Sequence, residues 1–204
     1  MFDLAPADVA GSVLDCCAGG SSFAAETGGR VIAADPAYAL GFDALARRLR
    51  SAVRDGDEII EQHRDRFEWD WYGTPARRAQ MRATAAETFL ADMREHPERY
   101  VAGALPGLPL ASGCADLVLC SHLLFTWSDR LGEDWHRRAV AELVRVARHQ
   151  VRIFPLVVQG SGRPVAFLDR LRAELHAAGH RTNLRDVPYR FQRGADRMLL
   201  IDIA

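Results

Sequence analysis

Short apolar runs alternate along the chain with longer stretches in which apolar residues recur every three or four positions. The runs at about Ser12–Cys16, Arg30–Ala34, Tyr100–Ala102 and Gln150–Val157 predict strands. Ala115–Ser121 is nearly continuous in apolar residues, the pattern of a central parallel strand. Ala139, Val140, Leu143, Val144 and Ala147 share one face of a predicted helix over Trp135–His149. Phe167–Ala178 predicts another, closed by Gly179. Strands alternating with helices in this way build an α/β domain around a parallel sheet. The last two runs, Thr182–Phe191 and Arg197–Ile203, are joined by Gln192–Asp196, too short for a parallel crossover, so they must pair antiparallel.

Residues 41–98 break the alternation, for 58 residues pass without a convincing strand. Phe42, Leu45, Leu49 and Val53 recur at helical spacing, and Asp55-Gly56-Asp57 is expected to end that helix. Glu58–Phe67 predicts a second, more polar helix, and Phe67–Gly73 is dense in aromatic residues. Thr74 as cap and Pro75 at the first helical position open a third, running to about Glu95 with Ala85, Phe89 and Met93 on one face. An ordinary crossover needs one helix and this one has room for three. The segment is therefore read as a helical lid near the carboxyl ends of the strands, where open α/β sheets bind ligands.

The stretch Val13–Glu26 is the first candidate for such binding. Asp15 stands where the strand leaves the sheet, Ala18, Gly19 and Gly20 allow close approach to the backbone, and Ser21 or Ser22 can cap the next helix. A second acid, Asp35, ends the next strand 16 residues after Gly19, placed to accept hydrogen bonds from ribose hydroxyls. Pro36 favours an extended Asp35.

With Asp15 and Gly19 in this order, Asp35 beyond them, and the runs Leu108–Leu110 and Ala115–Leu119 further on, the chain resembles the class I S-adenosylmethionine (SAM)-dependent methyltransferases. Cys17 and Ser21 stand where that family's first motif has its first and third glycines. The resemblance implies a seven-stranded Rossmann-like α/β sheet with a C-terminal antiparallel hairpin, here with the helical lid between strands 2 and 3, in one domain over 1–204. That hairpin argues against a nicotinamide-binding domain. SAM is the implied cofactor, held by Asp15, Cys16, Cys17, Ala18, Gly19 and Ser22, by Asp35 and Pro36, by Ala104 and Leu105, and by Ser121. Ala104 falls where the family often has an acid against adenine, so only backbone contacts can serve there.

Composition narrows the acceptor. The 26 basic residues, all arginine, balance 27 acidic ones to a net charge of −1, so no basic surface favours nucleic acid or an acidic membrane. There is no apolar run of spanning length and no secretion signal. Cys16, Cys17, Cys114 and Cys120 lack metal-finger spacing and are read as reduced thiols of a cytoplasmic protein, with no metal site expected. The family's base-methylating signature, an Asn/Asp-Pro-Pro-Tyr run, is absent, and so is a cluster of acids spaced for magnesium. A small metabolite is the acceptor that remains.

Methyl transfer is displacement at a carbon the sulfonium already activates, so the protein supplies placement, charge and, for a protonated nucleophile, a base. His122 follows the fourth strand and can titrate near neutrality; Ser121 and Tyr72 are further candidates for handling a proton. Trp69, Trp71 and Tyr72 are candidates to wall the sulfonium and acceptor from the lid side, unless they simply anchor the lid. Trp127 and Tyr189 are weaker candidates by position. Asp116 is read as structural. Two other activities suit the same features: ring closure of SAM's own aminobutyrate chain with release of methylthioadenosine, and non-enzymatic SAM-binding regulation.

Overall fold

The computed structural model describes all residues, Met1–Ala204. Seven strands form one sheet: β1 (Val13–Cys16), β2 (Val31–Ala34), β3 (Tyr100–Val101), β4 (Ala115–Ser121), β5 (Ala147–Phe154), β6 (Arg181–Asp186) and β7 (Arg197–Asp202). Their order is β3-β2-β1-β4-β5-β7-β6. All neighbours are parallel except β7, which runs against both β5 and β6. The expected hairpin at the end of a parallel sheet is therefore present.

Five helices flank the sheet: α1 (Phe23–Thr27), α2 (Phe42–Gln62), α3 (Pro75–Glu95), α4 (Glu133–Val146) and α5 (Leu168–Ala177). One core lies between the sheet and α4 and α5, built on Val118, Cys120, Leu143 and Leu171. The other holds Phe2, Tyr38, Leu45, Phe89 and Phe154 between the opposite face, the N-terminal segment and the α2–α3 pair.

Three boundaries differ from the pattern. α2 is one continuous helix through Asp55-Gly56-Asp57, so the crossover holds two long helices, not three. Gly56 lies within α2 beside the Arg82 side chain of α3, where a Cβ would come within 2.9 Å of Nη1, and does not end the helix. Ala147–His149, expected at the end of α4, already belong to β5, with a register irregularity between Ala115 and Leu117 that absorbs the change. The sixth strand stops at Asp186 instead of Phe191, because Pro188 has no N–H for a ladder. The freed segment, Val187–Asp196, becomes a loop.

That loop stands at the carboxyl end of the parallel strands, since β6 runs with β5. The α2–α3 pair reaches it from the other side. The two helices are antiparallel: Arg94 lies over Phe42, Arg50 pairs with Glu87 at 2.7 Å, and Asp57 pairs with Arg78 at 2.8 Å. Twenty-one residues of helix span about 30 Å. That length takes α2 from the β2–β3 side, past the turn after β1, to the β6–β7 loop. A Cβ at Gly20 would collide with Leu49 Cδ1, which shows how closely α2 crosses the turn.

Candidate functional site

The turn after β1 is held from below and from the side. Cys17 and Ala18 donate backbone hydrogen bonds to the Ala34 carbonyl at 2.7 and 3.2 Å. Cys17 has φ +61° and Gly19 φ +55°. A glycine meets a left-handed conformation without strain; at Cys17 the chain accepts a cost of about 1 kcal/mol. Gly19 N–H donates to Asp35 Oδ2 at 3.0 Å, and Asp35 Oδ1 accepts from Ala37 N–H at 2.9 Å. Tyr38, buried, donates its hydroxyl to the Gly19 carbonyl at 2.7 Å. The acid that ends β2 is thus fastened to the glycine turn that follows β1. A carboxylate offers about four acceptor positions, so two remain for incoming hydroxyls.

Asp15 is almost fully buried at the end of β1. Burial drives its pKa up to about 7, a hydrogen bond with Ser21 opposes this, and Cys120 and Asp35 add to the rise. A cation brought nearby would reverse that displacement.

After β4 the chain makes a second sharp turn. His122 has φ +57°, and its N–H donates to the Phe154 carbonyl at 2.8 Å. The residue keeps exposed surface although protein atoms crowd around its ring. The crowding, with the positive charges of the amino terminus, Arg78 and Arg82, lowers its pKa to about 4. The imidazole is then neutral at physiological pH. His136 fixes this turn from beneath. Fully buried, it accepts the Phe125 N–H on Nε2 at 3.1 Å, with Nδ1 3.0 Å from the Gly132 carbonyl.

Above His122 an aromatic chain closes the edge. His122 meets Phe154 (ring centroids 5.9 Å apart), Phe154 meets Tyr189 (5.9 Å), and the Tyr189 and Tyr72 hydroxyls lie 2.9 Å apart. Phe191 stacks on Phe67 at 4.6 Å and takes the edges of Trp69 and Tyr72 at 5.5 and 5.1 Å. The helical pair and the β6–β7 loop are joined through this group.

The strand order and the antiparallel last strand define one known architecture, and a solved structure shares it. Mitomycin 7-O-methyltransferase covers 97% of this chain with 50% of its own, at 17% identity and a TM-score of 0.50. The chain has the class I methyltransferase fold. A SAM-bound magnesium protoporphyrin IX methyltransferase of Synechocystis PCC 6803 covers 97% of the chain and 73% of its own, at 12% identity and a TM-score of 0.47. In sequence, an uncharacterised protein of Methanocaldococcus jannaschii is 24% identical over 209 residues, 98% of this chain and 90% of that protein. No protein-family model matches.

On this methyltransferase fold, Asp15, Cys17, Ala18, Gly19, Asp35 and Ser121 gather at the carboxyl edge of the sheet. Cys16 turns its side chain fully into the core, so only its backbone faces the edge. Ser22 caps nothing with its side chain, which donates to Glu26 at 2.7 Å; Ser21 takes the capping part, accepting the Phe23 N–H at 3.2 Å. Pro36 begins the turn after Asp35, and Ala104 and Leu105 lie in the loop after β3, where Gly107 N–H donates to the Ala104 carbonyl at 3.0 Å. Trp69 donates to the Arg64 carbonyl at 3.0 Å, and Trp71, half exposed, lies against Tyr189 with ring centroids 5.5 Å apart. Trp127 is faced by the Arg130 guanidinium at 5.0 Å. Asp116 sits at the opposite end of the sheet, tied to Ser12 and Arg148, with its pKa held down to about 2 by the Ser12 bonds first.

Tyr38 and His136, which brace the two turns, and Arg78, which lies against the aromatic group, are residues that pattern reading missed. Tyr38 and His136 carry no local signal, since each acts by touching a distant turn. Arg78 and Arg82 are spaced four apart on one helix, and that spacing was the available sign. A surface recess of about 520 Å3 is bordered by Glu61, Arg64 and Trp69 of the helical segment, with neither Asp35 nor His122 in its lining. It has no bearing on the edge chemistry. No helix is long and apolar enough to cross a membrane, and no cluster of three metal-ligating side chains is present.

Proposed function

We propose that the protein is a SAM-dependent methyltransferase acting on a small-molecule acceptor, with residues 41–98 as a lid over the acceptor side. The observation that carries this reading is the fastening of Gly19 to Asp35 at 3.0 Å. It brings a backbone turn open to close approach beside a carboxylate with spare acceptor positions, the two features a nucleoside needs at this edge. Asp35 accepts the ribose hydroxyls, and the backbone of Cys17–Gly19 and of Ala104–Leu105 borders the rest of the nucleoside. Buried Asp15 balances positive charge on the amino-acid end. SAM, when bound, supplies an activated methyl group.

His122, neutral at working pH, holds the proton of a hydroxyl or amine acceptor on an imidazole nitrogen. Tyr72 and Tyr189 orient the acceptor from the lid side, and the aromatic group excludes water. The near-neutral charge of the chain supports a small molecule over a nucleic acid.

Incubation with SAM, alone and with an acceptor panel, followed by mass spectrometry, tests the reading. S-adenosylhomocysteine formed only with an acceptor is the expected result. Methylthioadenosine from SAM alone would mean ring closure, and SAM binding without any product would mean a regulator. Asp35→Ala should weaken SAM binding by about tenfold or more, as loss of charge-assisted hydrogen bonds does; calorimetry giving an unchanged affinity would remove Asp35 from the ribose.

A further inference from the structure

Arg78 is the most oddly placed charge in the molecule. It begins the second turn of α3 with its side chain only 12% exposed, its guanidinium 4.7 Å from the Phe191 ring centre and 5.9 Å from that of Tyr72. One of its nitrogens is satisfied: Nη1 donates to Asp57 at 2.8 Å. That same Asp57 oxygen also takes Arg82 Nη1 at 3.3 Å, so two cations share one anion. Nε of Arg78 is buried without any hydrogen-bond partner. Native proteins seldom leave such a donor unmet, and the exceptions call for an explanation.

The unused Nε–Nη2 edge carries two parallel N–H groups, the fork that matches a carboxylate. A relay of side-chain contacts links it to the candidate base. Tyr72 beside Arg78 bonds Tyr189, Tyr189 meets Phe154, and Phe154 meets His122. The positive charges of Arg78 and Arg82 add, after burial, to the lowering of the His122 pKa. Arg78, Arg82 and the neutral His122 ring leave this wall with excess positive charge.

We propose that Arg78 takes the carboxylate of an anionic small-molecule acceptor, clamped on its Nε–Nη2 edge with Arg82 beside it. This rests on the methyltransferase reading and names its substrate class. The carboxylate is held at the lid while the nucleophile, at the other end of the acceptor, lies toward His122. An anion there also offsets the charges that depress the His122 base.

Benzoate and benzamide share a ring and differ in charge. Each is titrated by ligand-observed NMR into the full chain, with and without S-adenosylhomocysteine. Benzoate should bind and benzamide should not. Arg78→Gln should weaken benzoate by about tenfold or more, and Arg78→Lys, which keeps the charge without the fork, should fall between. Arg82→Gln, at a more exposed position, should weaken benzoate in a protein whose melting is unchanged, and stands in if the Arg78 variants fail to fold. Equal binding of the two probes, no benzoate binding at millimolar concentration, or indifference to the arginine substitutions would overturn the proposal.

SAM itself carries a carboxylate, and methylthioadenosine lacks it. Arg78→Gln that weakens SAM and spares methylthioadenosine would assign the fork to the cofactor and overturn the acceptor claim. Wild-type protein that binds benzoate but neither nucleoside would instead defeat the methyltransferase reading, and with it the word acceptor, while the fork itself stood.

Discussion

Asp15 and Asp35 end adjacent strands, yet their surroundings differ. Asp35 is met by two backbone N–H groups, whereas Asp15 is buried with Ser21 as its hydrogen-bonding side chain. The folded pKa of Asp15, about 7, lies above that of the unfolded chain. The native state therefore holds the extra proton, and the destabilisation is absent below the unfolded value and complete above pH 7. Asp15→Asn should raise the unfolding free energy at pH 8 by about 2–4 kcal/mol and change little at pH 3.5. Denaturant titrations across that range check this, and a gain of equal size at both pH values would contradict it. A carboxylate kept at such cost in the free protein is consistent with a cationic ligand that offsets it. Both acids could be picked out from the chain pattern, because each ends an apolar run. What they touch could not, because Gly19, Ser21 and Cys120 are brought to them only by the sheet.

At the scale of elements, the loop Val187–Asp196 and the helical pair depend on each other. Phe191 contacts Phe67, Trp69 and Tyr72 and supports Arg78, and Glu68 N–H donates to its carbonyl at 2.6 Å. Phe191→Ala should cost about 3–5 kcal/mol where these groups meet. Hydrogen exchange should rise in residues 67–73 and 187–196 while β1, β4 and β5 stay protected. Exchange rising equally in the central strands would mean that the aromatic group supports the whole fold and not the helical pair alone. The aromatic run Phe67–Gly73 was visible in the chain, but its partner was hidden inside a supposed strand. Pro188 was the local clue to that loop, and Gly56 misled because a glycine reads as a breaker when its neighbour helix is unknown.

For the whole molecule, the N-terminal segment seals the second core through one buried ion pair. Arg152 of β5, 4% exposed, donates to Asp8 at 2.6 and 3.1 Å and to the Phe2 carbonyl at 3.2 Å. Burial alone would raise the Asp8 pKa, but the bonds from Arg152 and Ala5 outweigh it and hold it below the ordinary range. This pair thus contributes stability above the unfolded carboxylate pKa and loses it on acidification through the lower folded value. Asp8→Asn leaves Arg152 buried without its counter-charge and should cost about 3–5 kcal/mol at pH 7, read as a lower denaturation midpoint. An unchanged midpoint would show the segment to be dispensable.

The sequence by itself determined the sheet, its parallel sense and its final hairpin, because apolar periodicity and loop length are local properties of a chain. It also determined which residues end the strands at the carboxyl edge of the sheet. Only the tertiary structure decided that α2 runs unbroken over the β1 turn, that Tyr38 and His136 brace the turns, and that an arginine with an unmet Nε lies against Tyr72 and Phe191. Each of those rests on contacts between residues far apart in the chain, and pairings of that kind leave no periodic mark.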